Sequence, residues 1–264
     1  MGCGFIGGQI CRAVVDGQAG IELGGVFDMS LEKAQALSVD IGRPEAFRET
    51  IDALFENADL IVECASPAAA KEIILPALDA DCDVMVMSTG VFRDETFYRA
   101  VREKALSKNR KVYMPSGAVG GTDALRSAAA AHISSVSLTT RKPAAGLKEA
   151  PYVVENNIDL SDLTAPLTLF DGNARDAVSA FPKNVNVCAT LSLCGIGFDE
   201  THVKVVADPT VRENIHEVEV VGDFGKFFMK IENRPSPENP KTSYLAALSA
   251  IALLKRIADP FRIG

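Results

Sequence analysis

The sequence has little of what usually marks a metal centre. Its six cysteines stand at 3, 11, 64, 82, 188 and 194 with no CxxC pair, and its three histidines complete no zinc-type ligand spacing. No metal is therefore expected. Cys64 and Cys82 lie in or beside apolar runs and read as small buried hydrophobes, which fits a reduced, cytoplasmic setting. Positive charge is also scarce: 27 Lys and Arg against 35 Asp and Glu leave a net charge of −8. That balance argues against a nucleic-acid partner, because phosphate binding needs concentrated cations. No secretory leader is read ahead of the first motif, and no apolar run of membrane-spanning length is uninterrupted by charge. The Ala246–Leu254 stretch is too short and is closed by Lys255 and Arg256. Repeats and low-complexity segments are absent too. What remains is an ordinary globular balance, 47% hydrophobic and 23% charged, in 264 residues, enough for two domains.

The first half alternates short apolar runs with helical ones, the pattern of βαβ units and a parallel sheet. Helices are expected over 7–16, 31–39, 68–79 and 93–107, and strands over 21–27, 59–65, 83–88 and 111–114, with 59–65 fully buried. Near residue 117 the texture changes. Runs at 136–140, 201–206, 216–221 and 227–231 alternate like half-buried strands, with a Gly222-Asp223 turn before the last. This predicts a second, α+β domain with mostly antiparallel strands over 117–239. The polar stretch 146–166 reads as a mobile insertion. A final helix is expected from Pro240 to about Ala258, buried on more than one side at a domain junction or dimer seam, returning 240–264 to the first domain.

Gly2-Cys3-Gly4-Phe5-Ile6-Gly7 is a GxGxxG. In a dinucleotide fold the first Gly makes a tight turn, the second admits the pyrophosphate, and the third lets helix and strand pack closely. The helix behind it offers free N–H groups and a positive dipole end. Asp28 follows about 20 residues on, at the end of the next apolar run, where a carboxylate accepts from the ribose 2′-OH and repels a 2′-phosphate. The other reading of Asp28 is a cap for the helix opening at Ser30. Together these features predict an α/β fold with an N-terminal Rossmann domain over 1–116, binding NAD, with NADP possible. A Rossmann fingerprint normally follows a strand, whereas this sequence reaches the glycines at once; the expectation is a truncated record that would leave a hole in the sheet. Ser66 and Ser88, at strand ends, read equally as contacts to the nicotinamide-side ribose or the substrate, or as N-caps.

Four strings in the second half point further: Ser116 to Ala124 (SGAVGGTDA), Phe181 to Val187 (FPKNVNV), Asn214 to Glu217 (NIHE) and Asn239 to Leu245 (NPKTSYL). With the glycine motif they resemble the L-aspartate dehydrogenase family over nearly the whole chain, apart from the first strand and a longer 146–166 segment. That resemblance implies oxidation of L-aspartate by NAD(P) to iminoaspartate, then oxaloacetate and ammonia, by a homodimer supplying pyridine nucleotide (NAD) biosynthesis. It also implies that His216 is catalytic and that Ala118, through its backbone, and Asn186 contact the nicotinamide end; Lys183 and Asn184, polar groups on the same loop, are weaker candidates. The residues add support of their own. An imidazole suits proton transfer near neutral pH. Asn239 and Pro240 form a good helix start, and Lys241, Thr242 and Ser243 would bring an ammonium and two hydroxyls to a positive helix end, a ready carboxylate site. An ordinary capped helix is the alternative. His132 reads as structural and His202 as the second choice for catalysis. Rival functions are a related two-domain reductase, of homoserine dehydrogenase or dihydrodipicolinate reductase type, and a non-catalytic NAD(P)-binding sensor.

Overall fold

The structure is a computed structural model, and it describes residues 1–56, 58–182, 186–236 and 242–261. The chain divides into two compact units, Met1–Pro115 with Ala247–Gly264, and Ser116–Ala246. Among the described residues no helix is long and apolar enough to cross a membrane.

The first unit begins with helices α1 (Phe5–Val15) and α2 (Leu31–Asp40). Strands β1 (Leu60–Glu63), β2 (Asp83–Val86) and β3 (Val112–Tyr113) then form a parallel sheet in that order, with Ile61 opposite Val84 and Met85 opposite Tyr113. The crossovers are α3 (Pro67–Asp79) and α4 (Glu95–Ser107). Ser66 caps α3 by accepting from Ala69 N, and Asp94 caps α4 by accepting from Phe97 N. Ala70, Ile73, Ile74 and Ala77 of α3 bury the sheet-facing stripe that their helical spacing predicts.

Two expectations fail here for one reason. The run 21–27 is not a strand; it makes a single parallel bridge, Val26 to Phe47. Strand β1 is not fully buried either, since burial alternates along it and Leu60 and Val62 are half-buried. Both segments border a cavity of about 530 Å³, which Ile10, Val14, Leu254 and Ile257 also line. A backbone edge facing a cavity has no ladder to join. One end of that cavity is closed by main chain: the Met1 amino group donates to Val62 O at 2.7 Å, Cys64 N to Met1 O at 3.0 Å, and Gly2 N to Phe27 O at 2.9 Å. This ladder step fixes the glycine loop against β1.

In the second unit, α5 (Thr122–Ala128), β4 (Ile133–Lys142), α6 (Pro151–Glu155), β5 (Leu167–Asn173), α7 (Ala174–Ala180), α8 (Asn186–Cys194), β6 (Thr201–Ala207), β7 (Asn214–Gly222) and β8 (Gly225–Asn233) follow in order. The sheet runs β5–β6–β4–β7–β8; β4 and β6 are parallel and the other neighbours antiparallel. Leu125, Leu138, Phe181, Leu191 and Val203 are fully buried in its core. The 146–166 stretch is no loose insertion. Leu147, Val153 and Leu160 are buried in the same core, and α6 carries Tyr152 onto Phe170 and Phe181. Its polar average hid apolar residues spaced six or seven apart. Helix α9 (Tyr244–Ala258) begins later than Pro240 and buries one face only, through Ala247, Ala250 and Leu254, leaving Leu245 and Leu248 partly exposed. Thr242 and Ser243 precede it in extended pairing: Ser236 N donates to Thr242 O, and Tyr244 N to Arg234 O.

A buried carboxylate braces the sheet of the first unit. Glu63, 0% exposed at the end of β1, accepts from Ala65 N, Ser66 N, Ser88 N and the Ser88 hydroxyl at 2.8–3.1 Å. Burial raises its pKa, while the N–H groups of Ala65 and Ser88 and the Ser88 hydroxyl pull the other way. All four contacts donate to it, so the cage suits an acceptor and welds the ends of β1 and β2. Glu63→Gln would turn an amide NH2 against some of these donors. It should cost about 1–3 kcal/mol and lower the unfolding midpoint by several degrees in calorimetry; an unchanged midpoint would show that the brace carries no stability.

Candidate active site

In the first unit the glycine loop is shaped by what its neighbours leave free. Gly2 has φ +92°, and a Cβ there would lie 2.8 Å from the Cys64 carbonyl carbon and oxygen. A Cβ on Gly7 would overlap the Gly2 carbonyl oxygen. Both are therefore glycine because the fold leaves no room. Gly4 differs: nothing lies within 4 Å of its ideal Cβ position, so packing would tolerate a side chain there. It is the N-cap of α1 with no side-chain cap, and Phe5 and Ile6 open the helix. Open space in front of a helix start with no acidic residue in its first turn fits the pyrophosphate of a dinucleotide.

Asp28 stands beside this loop. Its Oδ2 accepts from Cys3 N at 2.8 Å and its Oδ1 from Ser30 N at 2.9 Å. The carboxylate thus joins the glycine loop to the start of α2, and each oxygen keeps a further lone pair for a hydroxyl donor. Ser66 acts as the N-cap of α3 and Ser88 as a partner of Glu63. Of their two sequence readings, capping is the one seen for Ser66. The cysteines here are poor nucleophiles: burial raises the Cys3 thiol to about 11 and the Cys64 thiol to about 12.

In the second unit the buried face of the sheet changes character along its length. Across β4 and β7 the pairs run Val136–Val220, Leu138–Val218 and then Thr140–His216. Apolar residues give way to polar ones on one continuous face, which ends with Lys142 on β4 and Asn214 on β7. All four polar residues are buried. The Thr140 hydroxyl meets His216 Nδ1 at 3.1 Å, and the Asn214 amide donates to Ser243 Oγ at 3.3 Å. Asn233 at the end of β8 donates to the Ala118 carbonyl at 2.9 Å, tying down the 116–121 loop. Burial first, and then the charge of Lys142, push the His216 pKa down to about 3, so the ring is neutral at physiological pH. Burial lowers the Lys142 ammonium to about 8.

The other histidines are differently placed. His202 is half-exposed and pairs with Asp171 at 2.6 Å, a surface contact of little energetic weight. His132 is exposed, directly before β4. Asn186 is the first residue of α8 and exposed, its carbonyl accepting from Thr190 Oγ1. Asn239 and Lys241, and Lys183 and Asn184, lie outside the described residues. Ser243 joins the His216 region through Asn214 and stands directly before Tyr244, the first residue of α9, its carbonyl accepting from Ala246 N. Sequence reading missed Glu63, Thr140 and Lys142. The first could have been noticed as a carboxylate inside an apolar strand. The other two continue the Val136–Leu138 alternation by two and four residues.

Two family models match successive parts of the chain. A family model described as aspartate dehydrogenase, C-terminal, matches residues 123–257, and one described as homoserine dehydrogenase, NAD binding domain, matches residues 2–115. The L-aspartate dehydrogenase of Methanosarcina acetivorans is 53% identical over 264 residues, covering 100% of this chain and 97% of the relative. That of Bradyrhizobium diazoefficiens is 42% identical over 263 residues, covering 100% and 92%. Among solved structures, the aspartate dehydrogenase of Thermotoga maritima matches with a TM-score of 0.64 at 30% identity, covering 78% of each chain. With full-length relatives at this identity, and with NIHE supplying the one buried histidine among the described residues, the chain belongs to the aspartate dehydrogenase family.

Proposed function

We propose that this protein oxidises L-aspartate with a pyridine nucleotide, giving iminoaspartate that hydrolyses to oxaloacetate and ammonia. The observation that carries the reading is the neutral, buried His216 held by Thr140 in a member of this family. The glycine loop and the start of α1 would hold the pyrophosphate, Asp28 the adenosine ribose, and Ala118 and Asn186 the nicotinamide end. When bound, the nicotinamide supplies the hydride acceptor at its C4.

The work left to the chain is proton transfer and orientation. A neutral imidazole can accept a proton, either from the substrate ammonium or from the water that attacks the imine. The two carboxylates of the substrate beside the ring would favour its protonated form and so raise its basicity from the depressed resting value. Thr140 fixes the ring through Nδ1, leaving Nε2 as the nitrogen to do this. Lys241, with Thr242 and Ser243, remains the proposed holder of one carboxylate; of these, Thr242 and Ser243 stand directly ahead of α9. NAD is the proposed cofactor over NADP because Asp28 would repel a 2′-phosphate. A cytoplasmic homodimer that feeds pyridine nucleotide biosynthesis completes the reading, on the strength of the family likeness.

An assay of NAD(P)H formation across amino acids tests the substrate: L-aspartate should be strongly preferred, and a preference for homoserine or no turnover would reject it. His216→Ala should lower kcat by about 10²–10⁴ with NAD affinity little changed; a loss confined to KM would remove the proton role. Asp28→Ser should shift the ratio of kcat/KM values toward NADP, and a wild type already indifferent between the two would contradict the ribose assignment.

A further inference from the structure

The core face of β8 carries the loop that opens α5. Strand alternation puts Phe227, Met229, Ile231 and Asn233 on that face. A Cβ on Gly121 would lie 3.3 Å from Met229 Cε and 3.5 Å from Phe227 Cε2, and one on Gly120 would lie 2.5 Å from Met229 Sδ and 3.2 Å from Ile231 Cδ1. Two residues earlier in the loop, the Asn233 amide donates to the Ala118 carbonyl at 2.9 Å. The loop therefore lies along β8 and runs opposite to it, and at Gly120 any side chain would have to displace the Met229 sulfur. Strand β8 in turn pairs with β7, with Ile231 opposite His216 and Asn233 opposite Asn214. One strand register thus sets where the 118–121 loop stands relative to the His216 ring.

We infer that Asn233 is a positioning residue for hydride transfer: by holding the Ala118 carbonyl it fixes the backbone that meets the nicotinamide end. The inference rests on the functional reading above, in which Ala118 makes that contact. The peptide joining Ala118 to Val119 is planar and trans, so its N–H points away from its carbonyl. Pinning the one oxygen therefore orients both polar groups of that peptide. Asn233 and Ala118 are both buried, at 3% and 6% exposure, so losing the bond would leave a buried carbonyl unsatisfied. Further along the loop, Leu125 N donates to the Gly121 carbonyl at 2.8 Å, which builds the first turn of α5 on the same support. A misplacement of about 1 Å from a change away from the chemistry can cost about a hundredfold in rate.

Asn233→Leu keeps the size of the side chain and removes its donor. In the cofactor-free variant, hydrogen exchange of the Leu125 amide should quicken about tenfold as the loop and the start of α5 open more often. With NAD and L-aspartate, kcat should fall about ten- to a hundredfold, while KM for L-aspartate changes little. The deuterium isotope effect on kcat, with L-aspartate labelled at Cα, should exceed the wild-type value, because slowed hydride transfer then limits turnover ahead of product release. A merely structural role would lower the unfolding midpoint and leave the isotope effect unmoved. Should Asn233→Leu fold poorly, Asn233→Ser, whose hydroxyl is too short to reach the carbonyl, gives the same readouts. An unchanged Leu125 exchange rate, or a wild-type kcat with an unmoved isotope effect, would overturn the positioning role while leaving aspartate oxidation standing. A wild type that does not turn over L-aspartate would reject the functional reading and this inference together.

Discussion

The site depends on one constraint: an imidazole buried on the core face of a sheet. In water a histidine divides its time between charged and neutral forms near pH 6.5. At the polar end of the β4–β7 face, burial removes the solvation that the charged form needs, and the Lys142 charge opposes it further. Neutral His216 follows from those two causes. The apolar pairs Val136–Val220 and Leu138–Val218 set the register that delivers Thr140 opposite it. A one-residue slip in either strand would turn these polar side chains to the other face. Core packing and chemistry are therefore fixed by the same alternation.

The nucleotide half follows from a second kind of constraint, that of close approach. Gly2 and Gly7 are required by their own surroundings, since a methyl group at either would meet main chain. At Gly4 nothing lies within 4 Å of the ideal Cβ position, so packing does not require the glycine there. Asp28 links the loop to α2 through Cys3 N and Ser30 N. Glu63 holds the adjoining strand ends together from beneath.

Features written in short stretches were legible in the sequence. The GxGxxG, the helices of the first unit, and the alternation of β4, β6, β7 and β8 all depend on neighbours a few residues away. What could not be read depended on distant partners. The 21–27 run has strand composition, but a strand exists only where both partners and edges are supplied, and here its edge meets a cavity. The 146–166 stretch looked loose because Leu147, Val153 and Leu160 are diluted by polar residues, and only their common burial joins them. Lys142 was passed over because β4 was ended at Thr140; two more residues of the same alternation put a lysine on the core face. His216 emerged through its NIHE string, while Thr140, its partner 76 positions away, had no local mark.

The central proposal is that His216 is a neutral imidazole whose Nδ1, at the Thr140 hydroxyl, carries the proton and whose Nε2 takes the next one. Nitrogen-15 NMR of the ring in the folded enzyme from pH 5 to 8 tests this most directly, because it reports both charge and tautomer. The account predicts one protonated nitrogen, Nδ1, throughout that range, with Nε2 becoming protonated only under more acidic conditions or when a dicarboxylate binds. An imidazolium at pH 7 without ligand, or the proton on Nε2, would contradict it.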